Sequence, residues 1–280
     1  MKSLHTFLLA SAGLFAAAAS ANPVDVSFPT QQGINITGKL YLPAASSTLA
    51  PAVVLMHGCS GIYSFSDPAK GLALLYKEWG ERLTSAGYAA LVVDSFSGRN
   101  MPQNQCGNGS EGVSEVTDRP YDAHGAARFL KNAYAGWIDS SKIALLGWSH
   151  GASSTISALS DSMVAQLGKP FKAGFAFYPG CGLYNAFGGI STSTYVPYAP
   201  LQILHGSIDP LYTSGFCDKR VNNAVKLGSP NMSMSVYLGA QHNFDNARAM
   251  DAKWTQADVD AKTSADAFVM LRLNSLLKSQ

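Results

Sequence analysis

One stretch of this chain restricts its fold more than any other. Residues 143–148 form a short apolar run that predicts a buried strand, and Gly147-Trp148-Ser149-His150-Gly151 closes it. Small, helix-compatible residues follow from Ala152. A strand, a sharp turn holding a serine and then a helix make up a nucleophile elbow, in which the serine hydroxyl stands above the end of the strand. The alternative interpretation is a glycine-rich turn in which Ser149 caps the helix.

The rest of the chain alternates between strand and helix patterns. Continuous apolar runs at 52–57 and 89–93 are typical of strands buried on both faces. Such alternation predicts right-handed crossovers and a mostly parallel central sheet with helices on both faces, an α/β fold. The segment 182–199 is too short for a separate cap domain. Further strands are predicted at 24–28, 34–42, 172–178, 201–205 and 232–238, and helices at 71–86, 121–134, 216–227 and 261–277.

The N-terminus has the pattern of a secretory signal peptide. Lys2 precedes a short apolar run, and Ala19-Ser20-Ala21 ends it with small residues. We therefore expect residues 1–21 to be removed and residues 22–280 to form a single domain that is exported to the periplasm or secreted. No later run is apolar for long enough to cross a bilayer, so no membrane association is expected after cleavage.

The charge balance argues against several classes of partner. The chain has 20 Lys and Arg against 18 Asp and Glu, a formal net charge of +2, and its basic residues form no run. This composition argues against nucleic acid as a partner. No Cys-x-x-Cys pair or zincin helix spacing occurs, so we expect no metal and no cofactor. A metal site built from His57, His205, His242 and Asp209 is the alternative.

A serine hydroxyl needs a base to become a nucleophile, and the base needs an acid to hold its tautomer. After an elbow the expected chain order is serine, acid, histidine. His242 follows the last predicted strand and is the predicted base, whereas His205 ends a strand and is expected to be packed or to donate a supporting hydrogen bond. Asp209 follows that strand and is the predicted acid. Asp218 and Asp245 are the rival acids.

The acyl-transfer transition state also needs backbone N–H donors for its oxyanion. One donor is expected from His150, directly after the serine, and the other from the loop that follows the first buried strand, where Cys59 is the predicted residue. The alternative for this loop is an ordinary strand-to-helix turn.

Four cysteines in an exported chain favour disulfide bonds. By the predicted strands, all four lie beyond the carboxyl ends of strands. Cys59 and Cys106 follow strands before the elbow, whereas Cys181 and Cys217 follow successive strands after it. We therefore predict the pairs Cys59–Cys106 and Cys181–Cys217, with four buried free thiols as the alternative.

The chain resembles the dienelactone hydrolase family of α/β-hydrolases. The segments that carry the resemblance span most of residues 51–245 and read HGCSGI, AGYAALVVDSFSGR, YDAHGAARFL, GWSHG, FAFYPG, LHGSIDP and GAQHNF. The resemblance implies an α/β-hydrolase fold, a Ser149–Asp209–His242 triad, and an oxyanion hole at Cys59 and His150. Arg99 matches the region where the family places an arginine for the substrate carboxylate.

Two residues depart from the family pattern. Dienelactone hydrolase has a cysteine nucleophile where this chain has Ser149, and a glutamate where this chain has Gly58. These departures favour a serine hydrolase acting on general carboxylic esters or lactones, with small molecules as its substrates. The alternatives are an acyltransferase or polyester depolymerase that uses the same triad, and a non-catalytic periplasmic binding protein on the same fold.

Overall fold

The computed structural model describes residues 22–64, 71–107, 112–182, 194–246 and 253–279. The predicted signal peptide, residues 1–21, lies outside the described residues. The eight strands are β1 (Val24–Pro29), β2 (Asn35–Tyr41), β3 (Ala50–Met56), β4 (Ala89–Asp94), β5 (Ile138–Trp148), β6 (Phe171–Phe177), β7 (Leu201–Gly206) and β8 (Met232–Tyr237). The α-helices are α1 (Leu74–Ser85), α2 (Arg119–Ala133), α3 (His150–Ala158), α4 (Asp161–Leu167), α5 (Pro210–Thr213), α6 (Phe216–Lys226) and α7 (Gln256–Leu277).

All eight strands form one sheet in the order β1-β2-β4-β3-β5-β6-β7-β8. Strand β2 is antiparallel to both of its neighbours, and β3 to β8 are parallel throughout. The predicted mostly parallel sheet is therefore confirmed. Because parallel strands end at the same edge, the loops after β3, β5, β6, β7 and β8 lie together along one side of the sheet.

Helices cover both faces of the sheet, as the alternation predicts. On one face, α2, α3 and α6 pack on a core that includes Val54, Leu145 and Ile203. On the other face, α1 and α7 pack on a core that includes Leu55 and Leu146. Successive residues of a buried strand point to opposite faces, so a continuous apolar strand supplies both cores. No helix in the described ranges is long and apolar enough to span a membrane.

Most predicted strands and helices lie within three residues of the observed bounds; the larger departures are at β5, at α7 and at two helices that were not predicted, α4 and α5. Strand β5 begins at Ile138 instead of residue 143. Its first half carries polar residues, so the apolar pattern did not predict it, and it pairs with β3 only through Ile138. Helix α4 was absent from the predicted elements; its start is capped by the Ser160 side chain, which accepts the N–H of Ser162. Helix α7 begins at Gln256 instead of residue 261, after a capping box between Thr255 and Asp258.

Candidate active site

Ser149 lies in a strained turn between β5 and α3. Its φ is 49°, in the left-handed region that L-residues rarely adopt. Two glycines make the turn possible: a Cβ on Gly147 would lie 2.2 Å from the Gly151 carbonyl oxygen, and one on Gly151 would lie 2.1 Å from the Met56 carbonyl oxygen. Strand and helix can approach this closely only without those side chains. The turn therefore has the geometry of a nucleophile elbow.

The sheet brings Ser149, His242 and Asp209 into one hydrogen-bonded chain. His242 Nε2 lies 3.1 Å from Ser149 Oγ, and His242 Nδ1 lies 2.8 Å from Asp209 Oδ2. A carboxylate only accepts, so the imidazole proton lies on Nδ1 and the lone pair of Nε2 faces the serine hydroxyl. This is the tautomer that a general base requires. The three residues come from loops after β5, β7 and β8.

Asp209 is held as a carboxylate by its neighbours. It is fully buried, and one oxygen accepts the N–H of Leu211 at 2.8 Å. Burial alone would raise its pKa, but hydrogen bonds from His205 and His242 outweigh that effect and hold the pKa well below its usual range. His205 is also fully buried, and its ring lies between two acceptors: Nδ1 is 3.2 Å from Asp209 Oδ2 and Nε2 is 3.0 Å from the Pro179 carbonyl oxygen, so the ring donates to both only as an imidazolium.

The loop after β3 passes directly beside Ser149. A Cβ on Gly58 would lie 3.8 Å from the Ser149 Cβ. In the described part of the chain, neither the Cys59 N–H nor the His150 N–H donates to a protein acceptor. Within the described ranges, the two residues that the sequence predicts for an oxyanion hole thus have backbone N–H groups with no protein acceptor; His150 directly follows Ser149, and Cys59 follows Gly58, which lies beside Ser149.

Both predicted disulfide bonds are confirmed. Cys59 pairs with Cys106, and Cys181 pairs with Cys217. The first bond ties the loop after β3 to the long segment that follows β4. The second ties the loop after β6 to the start of α6.

Arg99, which the resemblance places at the substrate carboxylate, contacts Asp122 and Ser95 in the structure. Its guanidinium makes a paired contact with the Asp122 carboxylate at 2.7 and 2.9 Å and donates to the Ser95 carbonyl. Only 10% of the Arg99 side chain is exposed. These contacts favour a structural role that joins the segment after β4 to α2, because the charge that a substrate carboxylate would need is already paired.

The rival acids lie elsewhere. Asp218 is part of α6. Asp245 is buried, and its structural role was not predicted from the sequence. Its carboxylate accepts Trp148 Nε1–H at 2.7 Å and the Tyr178 hydroxyl at 2.6 Å. Tyr178 in turn contacts the His242 ring with a centroid distance of 4.7 Å. Within the described ranges no group of three His, Cys, Asp or Glu residues is arranged to bind a metal ion.

The sheet order and the strained serine turn define an α/β-hydrolase. The chain belongs to the dienelactone hydrolase family, because the model of that family matches residues 36–278. Membership identifies the protein as a hydrolase. A search of curated protein sequences found no match.

Several solved structures share this fold. A dienelactone hydrolase-like promiscuous phosphotriesterase from metagenomic libraries is 16% identical over 91% of this chain and 99% of its own, with a TM-score of 0.69. A candidate dienelactone hydrolase from Klebsiella pneumoniae is 14% identical over 93% of this chain and 100% of its own, with a TM-score of 0.66. An esterase from Pyrobaculum calidifontis is 17% identical over 90% of this chain and 87% of its own, with a TM-score of 0.59. At these identities the likeness establishes the fold.

Proposed function

We propose that this protein is an exported serine hydrolase that cleaves carboxylic esters or lactones through an acyl-enzyme. The observation that carries the proposal is the position of His242, whose two ring nitrogens lie within hydrogen-bond distance of Ser149 Oγ and Asp209 Oδ2. Membership of a hydrolase family supports the reaction class. A serine instead of the family's cysteine favours general esters over dienelactones.

The geometry supports a two-step mechanism. Ser149 Oγ attacks the ester carbonyl carbon while His242 Nε2 takes the hydroxyl proton, and Asp209 stabilises the resulting imidazolium. The Cys59 and His150 N–H groups bind the oxyanion of the tetrahedral intermediate. His242 then gives its proton to the departing alkoxide, which leaves as the alcohol. Water, deprotonated by His242, attacks the acyl carbon; His242 then returns the proton to Ser149 Oγ as its bond to the acyl carbon breaks and the carboxylic acid leaves.

Soluble p-nitrophenyl esters of increasing chain length and simple lactones test the proposal. Wild type should hydrolyse esters, and Ser149→Ala should lose about a thousandfold or more in kcat while remaining folded. Ser275→Ala, which changes an exposed serine on α7, is the matched control and should retain activity. Ester turnover that survives Ser149→Ala would contradict the proposal. An added alcohol acceptor distinguishes hydrolysis from acyl transfer.

Export is supported by the pattern of residues 1–21 and by the two disulfide bonds. The mature protein isolated from the periplasm or the medium should begin at Asn22 by N-terminal sequencing. Exported protein that retains Met1 would contradict this part of the proposal.

A further inference from the structure

A fully buried arginine lies beside the candidate site and has no part in the proposed proton transfers. Arg119 is the first residue of α2 and has no exposed surface. Burial lowers its pKa to about 10, which still leaves the guanidinium charged at neutral pH. A charge that is buried this completely is retained only with well-directed partners. The identity of those partners indicates what Arg119 does.

Arg119 joins the two segments that flank Ser149. Its NH2 group donates to the His57 carbonyl at 2.7 Å, and its NH1 group lies 2.7 Å from His150 Nδ1. Its Nε donates to Ser95 Oγ at 3.2 Å. His57 precedes Gly58 and Cys59 in the loop after β3, whereas His150 opens α3. One guanidinium therefore contacts both sides of the proposed oxyanion hole.

The His150 imidazole is neutral in this arrangement. A guanidinium can only donate, so His150 Nδ1 accepts and the ring proton lies on Nε2. That nitrogen lies 3.0 Å from Glu115 Oε2. Burial, together with the Arg119 charge, lowers the pKa of His150. The ring thus bridges a cation and a carboxylate, which fixes its orientation at the start of α3.

The peptide groups before Cys59 are fixed as well. The carbonyl of His57 accepts from Arg119, and the N–H of Gly58 donates to the Tyr76 hydroxyl at 3.0 Å. The Gly58 carbonyl accepts His57 Nδ1–H at 2.6 Å. In a trans peptide the carbonyl and the N–H point in opposite directions, so the Cys59 N–H is directed away from the His57 ring. No described peptide bond is cis.

We propose that Arg119 is a positioning residue for the oxyanion hole, holding the Cys59 and His150 N–H groups in a fixed relation to Ser149. The inference rests on the proposed function. Donors that are already oriented stabilise the developing oxyanion without reorganisation, so the contribution of Arg119 falls on the transition state and little on substrate binding.

The test compares Arg119→Met and Arg119→Lys with Arg220→Met. Arg220 is equally buried but contacts the Cys181 carbonyl on another loop, so its variant controls for the loss of a buried arginine. Arg119→Met should lower kcat by about 10- to 100-fold with KM changed less than about threefold, and Arg119→Lys should recover part of the loss. Arg220→Met should keep kcat within about twofold of wild type at a comparable loss of thermal stability.

A boronic acid that forms a tetrahedral adduct with Ser149 supplies a second readout. Its inhibition constant should rise in Arg119→Met by about the same factor as kcat/KM falls, because both report the oxyanion hole. If Arg119 had only a structural role, the inhibition constant and kcat/KM would not change by the same factor. The inference is overturned if Arg119→Met matches Arg220→Met in both kcat and boronate affinity.

His150 variants keep the inference testable if Arg119→Met does not fold. Asn places an acceptor near the Nδ1 position, whereas Leu does not. His150→Asn should therefore be several-fold more active than His150→Leu, and equal activities would overturn the inference. These outcomes for Arg119 and His150 are distinct from failure of the proposed function. The proposed function fails only if the wild-type protein shows no ester turnover that depends on Ser149.

Discussion

His205 Nδ1 and Asp209 Oδ2 face each other at 3.2 Å, and neither side chain is exposed to solvent. The same oxygen accepts from His242, so two imidazoles converge on one carboxylate oxygen. His205 is itself held by the Pro179 carbonyl. Asp209 is thereby fixed by a second buried ring at the oxygen that His242 contacts, and its orientation sets that of the proposed base.

Replacing His205 should therefore weaken catalysis through Asp209. A hydrogen bond to a charged group contributes about 1.5–3 kcal/mol, so His205→Phe should lower kcat by about 10- to 100-fold. His124→Phe is the matched control, since His124 is also buried but donates to the Ala158 carbonyl away from the site. Steady-state kinetics and thermal melts on both variants make the comparison. Equal kcat losses in the two variants would contradict a positioning role.

The three residues of the proposed triad should act as one unit. Asp209→Asn and His242→Ala should each lower kcat by about a thousandfold or more, and the double variant should lose little beyond the larger single loss. The reason is that each change alone disables the same proton transfer. Single-turnover kinetics with a p-nitrophenyl ester measures the three rates. Additive losses would show that the residues act independently.

Asp245 should make stability fall as pH rises. Burial, with the charge of Asp266 added, raises its pKa from 3.8 to about 6. A raised pKa means that the folded state binds the proton more tightly, so this contribution is complete below about pH 3.8 and is lost as pH rises through about 6. Relative to Asp245→Asn, wild type should lose about 2 kcal/mol of unfolding free energy between about pH 4 and pH 7.

Urea unfolding at several pH values in that interval measures the difference. Asp25→Asn, at a side chain that is 80% exposed, is the control for the loss of a surface carboxyl group. A difference between wild type and Asp245→Asn that does not change with pH would mean that the buried carboxyl does not titrate in this interval.

Short acyl esters should be the better substrates. Among the described residues no large cap covers the sheet, and 27% of the His242 side chain is exposed, so the described part of the site is open to water. An open site offers little apolar surface to a long acyl chain. We expect p-nitrophenyl butyrate to be turned over faster than the palmitate, without activation at an oil–water interface. Faster hydrolysis of emulsified long-chain triglyceride than of the soluble butyrate would refute this expectation.

The residues at strand ends were predictable because the sheet itself gathers them. Ser149 and Asp209 follow mostly apolar strands, His242 follows the alternating strand β8, and parallel strands place such positions side by side. Strands β3 and β4 were predictable for the same reason: burial on both faces leaves a continuous apolar run. The start of α7 carried a usable signal in Thr255 and Asp258, which form a capping box.

The supporting contacts had no such local signal. Arg119 lies 31 residues from His150 in sequence, and Asp245 lies 97 residues from Trp148. Neither pair has a spacing or a residue pattern that marks it, because only the tertiary fold brings the partners together. The resemblance likewise placed Arg99 near the substrate, but nothing in the sequence indicated that Asp122 pairs with its charge.

The Cys59–Cys106 bond makes the proposed site depend on the redox state of the compartment that holds the protein. Cys59 supplies a proposed oxyanion donor, and its sulfur is bonded to a segment that comes 47 residues later. Cytosolic thiols stay reduced, so a chain retained there would lack this tether. If the proposed export and the proposed oxyanion hole both hold, the reduced precursor lacks this tether beside Cys59, and thiol oxidation after export is a step that completes the site.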